Sequence, residues 1–158
     1  MLRMMHSKSL FSFIQNRINM YTIDKVSSRE AHQLVANALA EAEKINKHIA
    51  IAVAGPEGEL ISFLRMDGAS PAASKIAQNK AYTAARDRKT TRQMGEYMKE
   101  KGRPPAFWGD LGITGFGGGI PIIHNEKIIG SIGISGLSED DDERIANAAI
   151  QAVYGLKW

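Results

Sequence analysis

Arg65 and Asp67 flank Met66 at the end of an extended apolar run and stand just before Gly68, so a guanidinium and a carboxylate project from one turn. An arginine held there can clamp a ligand carboxylate or propionate through its forked N–H donors. Asp67 beside it can orient the clamp or act as an acid or base. Left to themselves, the same two side chains make a surface ion pair of little worth. On the segment that follows, Lys80 and Thr83 are three residues apart and share a helical face, with Tyr82 between them. They are placed to meet the same turn, with Lys80 as a second partner for acidic ligand groups and, like Asp67, a candidate catalytic proton carrier. A lone lysine in an alanine-rich helix is nevertheless more often solvated than catalytic.

The second concentration of unusual residues is glycine. Gly115, Gly117, Gly118 and Gly119 run into Ile120 and Pro121. This is neither a phosphate loop nor a dinucleotide fingerprint, because a strand follows and no Lys-Ser/Thr pair or helix start does. Glycine removes side chains where a ligand or another chain must approach the backbone. Gly117, Gly118, Gly119 and Pro121 are therefore candidates for a pocket floor beside the Arg65 turn; the same glycines could equally serve only a bent strand.

With no cysteine, the chain has no thiol nucleophile, no thiolate ligand and no disulfide framework. Its four histidines, His6, His32, His48 and His124, lack the close spacing of a zinc site, so no metal site is expected. If an iron porphyrin binds, His48 or His124 at a sheet edge, or Met66, could supply a soft axial donor.

These residues must be positioned by a mixture of hairpins and helices. Ser27 to Glu30 reads as a capping box, and Ala31, Leu34, Val35, Ala38, Leu39, Ala42 and Ile45 form one apolar stripe of a helix ending near Asn46. Residues 49–53 and 60–64 are short apolar runs joined by the turn residues Gly55, Pro56, Glu57 and Gly58, which predicts a β-hairpin. Ser70 and Pro71 start a second helix. Thr90 to Gln93 can cap a third, through Lys99, and the cationic run Arg86, Arg88, Lys89 and Arg92 reads as a solvated helix end. Residues 102–119, with Phe107 and Trp108, are aperiodic, and an ordered loop of that length is uncommon unless functional. A second hairpin is expected over residues 120–134, and Ser138 followed by four acids opens a last helix that runs to about Tyr154. Hairpins demand antiparallel pairing, so the expected class is α+β.

Of the formal charge of +3, all is contributed by Arg3, Lys8 and Arg17. Residues 20–158 carry 17 basic and 17 acidic groups, which argues against nucleic acid as a partner. No apolar run reaches the roughly 18 residues of a membrane span, so no membrane partner is expected and the cytoplasm is the expected compartment. Residues 1–19 read as an N-terminal extension, disordered or weakly helical; their acid-free composition has some of the character of an organellar presequence. A single domain is expected over 20–158.

Five ordered blocks carry a resemblance: Ile51-Ala-Val53, Arg65-Met-Asp-Gly-Ala69, Ala77-Gln-Asn-Lys-Ala-Tyr-Thr-Ala84, Gly118-Gly-Ile-Pro-Ile122 and Gly130-Ser-Ile-Gly-Ile-Ser-Gly136. In this order they resemble the GlcG/HbpS family, also called the haem-degrading domain family, over about residues 21–155. The resemblance implies a profilin-like antiparallel sheet flanked by helices, and a homo-oligomer; with two strands in the first hairpin and two or three after the long loop, the sheet is expected to have about five strands. It departs from the family at Gly55-Pro56, where an Asp is common, and at Arg86 to Thr91, where a short Gly-x-Pro-Thr linker is usual. Two functions then stand side by side. One is a small-ligand-binding protein with haem as the implied cofactor and no other expected, Arg65 and Lys80 meeting acidic groups over the Gly117–Pro121 backbone. The alternative is a cofactor-free enzyme on a small oxygenated organic acid; a purely structural oligomerisation subunit is a third reading.

Overall fold

Reciprocal capping starts the first helix. Ser27 Oγ accepts from the Glu30 amide, and the Glu30 carboxylate accepts from the Ser27 amide at 2.8 Å. The bonds from Ser27 hold the Glu30 carboxyl below its ordinary range. The computed structural model describes residues 20–155, so the extension expected over 1–19 lies outside them. Helix α1 (Ser28–Lys44) leads into the hairpin β1 (Ala50–Ala54) and β2 (Leu60–Arg65). Then come α2 (Pro71–Asp87), α3 (Thr91–Lys101), a 3-10 turn over Pro105–Trp108, β3 (Gly119–His124), β4 (Lys127–Ser135) and α4 (Glu139–Tyr154). Helix α3 has its own capping box between Thr90 and Gln93 and stops at Gly102, whose φ of +61° suits glycine.

The strands form one antiparallel sheet in the order β2-β1-β4-β3. Among the described residues it has four strands, not about five. The extended segment before α1 makes one ladder-like bond, from the Val26 amide to the Ile129 carbonyl at 2.8 Å. Its neighbours are tied by side chains instead, Lys25 to Glu59 and Asp24 to Lys127, so pairing does not propagate.

Strand alternation splits the core into two layers. Ile51 and Val53 face α1 and α4, packing with Leu34, Ile145 and Ile150. Ala50, Ala52 and Ala54 face Ala73, Ala77 and Ala81 of α2. This second layer is made of small residues, so α2 lies almost on the sheet backbone. At Gly133 a Cβ would collide with the backbone of Ala77 and Ala81. Helix α2 settles over β4, β1 and β3 and barely over β2. The α2-side face of β2 is consequently open, with Leu60 52% and Phe63 38% exposed, and among the described residues its outer edge is unpaired.

Candidate functional site

Past Arg65 the ladder continues one step, the Met66 amide donating to the Ile49 carbonyl at 3.0 Å, and the Ala69 amide then closes a turn onto the Met66 carbonyl at 3.1 Å. Gly68 occupies this turn at φ +82°, and the His48 ring lies over it: a Cβ on Gly68 would sit 3.4 Å from His48 Cγ. A side chain here would meet both a strained backbone and the imidazole. His48, Arg65, Met66 and Asp67 line one open cleft of about 370 Å³, together with Leu64 and with Leu39 and Glu43 of α1. The imidazole, guanidinium and Asp67 carboxylate are exposed, whereas Met66 is half-buried. Met66 Sδ accepts from the Ile49 amide at 3.4 Å, so the thioether is turned toward the backbone. Among the described residues neither Arg65 nor Asp67 makes an ion pair, with each other or elsewhere.

Lys80 does not face this cleft. It is 3% exposed, and its ammonium donates to Asp142 Oδ2 at 2.8 Å and to the Ile134 carbonyl at 2.9 Å. Asp142 Oδ1 also accepts from the Leu137 amide at 3.2 Å. Burial pushes the Asp142 carboxyl up from its ordinary range, against the opposing pull of Lys80. The lysine thus reaches from α2 on one side of the sheet to the first turn of α4 on the other. The structure does not bring it to the Arg65 turn, where the sequence expectation placed it as ligand partner or proton carrier: every polar contact it makes among the described residues is internal.

The glycine loop belongs to the same internal seam. A Cβ on Gly118, which has φ +117°, would lie 2.8 Å from both Lys80 Nζ and Asp142 Cβ. The Gly117 amide donates to Glu139 at 2.9 Å, the Gly119 amide to Thr91 Oγ1 at 2.9 Å, and the Gly118 carbonyl accepts from Ile134. Pro121 is buried in β3 opposite Ser131. Thr83 is buried too, donating to the Gly112 carbonyl and accepting from the Thr114 amide, which pins the long connection to α2. The strands put β2 and β3 at opposite edges, so the Arg65 turn and the glycine loop do not share a pocket floor. At about 4.8 Å between neighbouring strands, the separation is about 14 Å.

His124 ends β3 with its ring 6.2 Å from that of Tyr154, away from the His48 cleft. The cationic run is less solvated than its composition predicts: Arg92 bonds Glu143 at 2.9 Å and Asp140 at 2.6 Å, joining α3 to α4. Asp142, Glu143 and the Tyr82–Asp110 bond at 2.7 Å are partners that sequence reasoning missed. Lys80 carried a readable sign, since it shares the stripe of Ala73, Ala77, Ala81 and Ala84 and so had to be buried. Its counter-ion lies 62 residues away and left no local sign. Chemically, the cleft offers an open imidazole and apolar walls from Leu39 and Leu64, with Arg65, which pairs with Ala50 and so projects from the α2 face of the sheet, at its rim.

Residues 26–151 match the family model described as haem-degrading protein HbpS-like. The GlcG protein of Escherichia coli strain K12 is 38% identical over 110 residues, covering 70% of this chain and 81% of GlcG. Among solved structures, Klebsiella pneumoniae ORFY superposes with a TM-score of 0.80 at 26% identity, covering 88% of this chain and 97% of that one. A complex of PduOC with haem superposes with a TM-score of 0.76 at 26% identity, covering 82% and 96%.

Proposed function

The chain belongs to the haem-degrading, HbpS-like family, and from that premise we propose that it binds haem at the cleft between α1 and the end of β2. One observation carries this reading. His48 from the α1–β1 connection lines a single cleft with Leu39, Leu64 and Met66, and Arg65 at the end of β2 borders it. That the related PduOC is a haem complex supports it.

The residues fit one face and edge of a porphyrin. The cleft is shallow and open, at about 370 Å³, so it holds part of the macrocycle. A second copy of the chain, as a homo-oligomer, is the proposed cover for the rest. Bound haem supplies an iron centre that takes a nitrogen donor. His48 is the proposed donor, because its ring is exposed whereas the Met66 sulfur is engaged with the Ile49 amide. Arg65 meets a propionate with its forked N–H groups. Leu39 and Leu64 cover the ring and exclude water from one side. Glu43 and Asp67 repel the propionates and so favour the orientation that brings one to Arg65.

Titration of the purified protein with hemin, followed in the visible spectrum, tests the proposal. The expected result is a saturable, shifted Soret band that is lost in His48→Ala and kept in His124→Ala. Arg65→Gln should weaken binding by about tenfold, the scale of one charge-assisted bond. A spectrum no different from free hemin, or a band indifferent to His48→Ala, would refute it.

A further inference from the structure

The connection between α3 and β3 carries aromatics that haem binding at His48 leaves unused. Pro104 and Pro105 lead into the 3-10 turn, and Gly109 closes it at φ +61°. Trp108 packs one side against Met94, Met98 and Ile113, which anchors its indole. Tyr97 meets it edge-on, ring centroids 6.3 Å apart at 74°, while Phe107 stands beside them 70% exposed. The Arg103 guanidinium donates to the Tyr97 hydroxyl at 3.1 Å. The Lys89 ammonium lies 5.2 Å over the Tyr97 ring. Tyr97, Arg103, Phe107 and Trp108 together line a cleft of about 260 Å³.

Aromatic walls favour a flat ring, which stacks or packs edge-to-face against them. Arg103 in the lining, with Lys89 nearby over the Tyr97 ring, disfavours a cationic ligand and favours an anion. The volume lies just below the usual range of ligand sites, about 300–1,000 Å³, which suits one ring system with its substituent partly in solvent and is too little for a porphyrin. A nucleic-acid strand is the weaker fit, because residues 20–158 balance 17 basic against 17 acidic groups and offer no excess charge to track a backbone.

We propose that this cleft is a second ligand site, taking a single planar heteroaromatic ring that carries a phosphate, the ring against Phe107 and Trp108 and the phosphate on Arg103. The chain has two tryptophans, so a Trp158→Phe background leaves Trp108 as the only indole emitter. In that full-length protein, AMP should change Trp108 emission saturably. Adenosine should bind about tenfold more weakly and inorganic phosphate should leave the emission unchanged, since each supplies half of the recognition. Arg103→Gln should weaken AMP about tenfold and leave adenosine unaffected, whereas Phe107→Ala should weaken both by about fivefold or more, the lower end for one stacked base. Both side chains are exposed, so these variants keep the fold. No saturable response to AMP, a response untouched by both variants, or phosphate alone matching AMP would each overturn the proposal.

Discussion

Breaking the Lys80–Asp142 pair is the sharpest test of how the two helical layers are joined. The side chains are 3% and 2% exposed and 2.8 Å apart. Replacing Asp142 with leucine leaves an ammonium in the core with only the Ile134 carbonyl; replacing Lys80 with methionine leaves a carboxylate with only the Leu137 amide. Removing one partner of a buried pair costs about 3–5 kcal/mol, because the survivor is an uncompensated charge. The double variant Lys80→Met/Asp142→Leu removes both charges and should recover most of that loss. It still forfeits the bonds to the Leu137 amide and to the Ile134 carbonyl, about 1 kcal/mol each, and an acid in the first turn of α4, about 0.5 kcal/mol. The double variant is thus expected within about 3 kcal/mol of the parent. Urea denaturation followed by circular dichroism measures all four corners. A double variant as unstable as the two singles summed, or singles costing less than about 1 kcal/mol, would refute the reasoning.

The same pair gives a pH signature. Burial already raises Asp142 above its ordinary 3.8, and Lys80→Met removes the group that opposes the rise. A carboxyl whose folded value lies above its unfolded one contributes stability that is full below the unfolded value and is lost as pH rises through the folded one. Lys80→Met should therefore lose less stability in mild acid than at neutral pH.

Two further outcomes are expected. Gly133→Ala places a methyl against the backbone of Ala77 and Ala81, so α2 must move; a loss of about 2–3 kcal/mol in a melt is expected, and an unchanged melting temperature would remove the close-packing account. Ser27→Ala should cost about 1 kcal/mol near neutral pH; because the Ser27 bonds lower the Glu30 pKa, that cost should shrink as pH falls through the depressed value, and a pH-independent cost would count against the capping box.

What the sequence made legible follows the range of the interactions. Ser27 with Glu30 and Thr90 with Gln93 act across three residues, so both helix starts could be read from local chemistry. Both hairpins were legible for the same reason. Two or three strands were expected after the long loop, but only β3 and β4 pair there, and the segment before α1 adds a single bond at Val26. Lys80 and Asp142, or Arg92 and Glu143, meet only after the layers have assembled. The glycines at 117–119 signalled close backbone approach correctly in kind, but what approaches is the protein's own ammonium and helix, not a ligand. The Arg65 turn did gather His48 and Met66 into one cleft, which no spacing rule ties together because α1 and β2 must first dock.

The uneven cover of the sheet has a kinetic side. Among the described residues, strands β1 and β4 are sandwiched, whereas β2 lies at the edge of the sheet with an open face carrying Leu60 and Phe63. Amide hydrogens of β2 should exchange with solvent through local opening, far below the free energy of global unfolding. Leu64, Arg65 and Met66 hang from the end of that strand. A ligand seated there therefore binds to whatever fraction of molecules has β2 in place, and slows exchange in the β1–β2 hairpin while leaving that of β4 nearly unchanged.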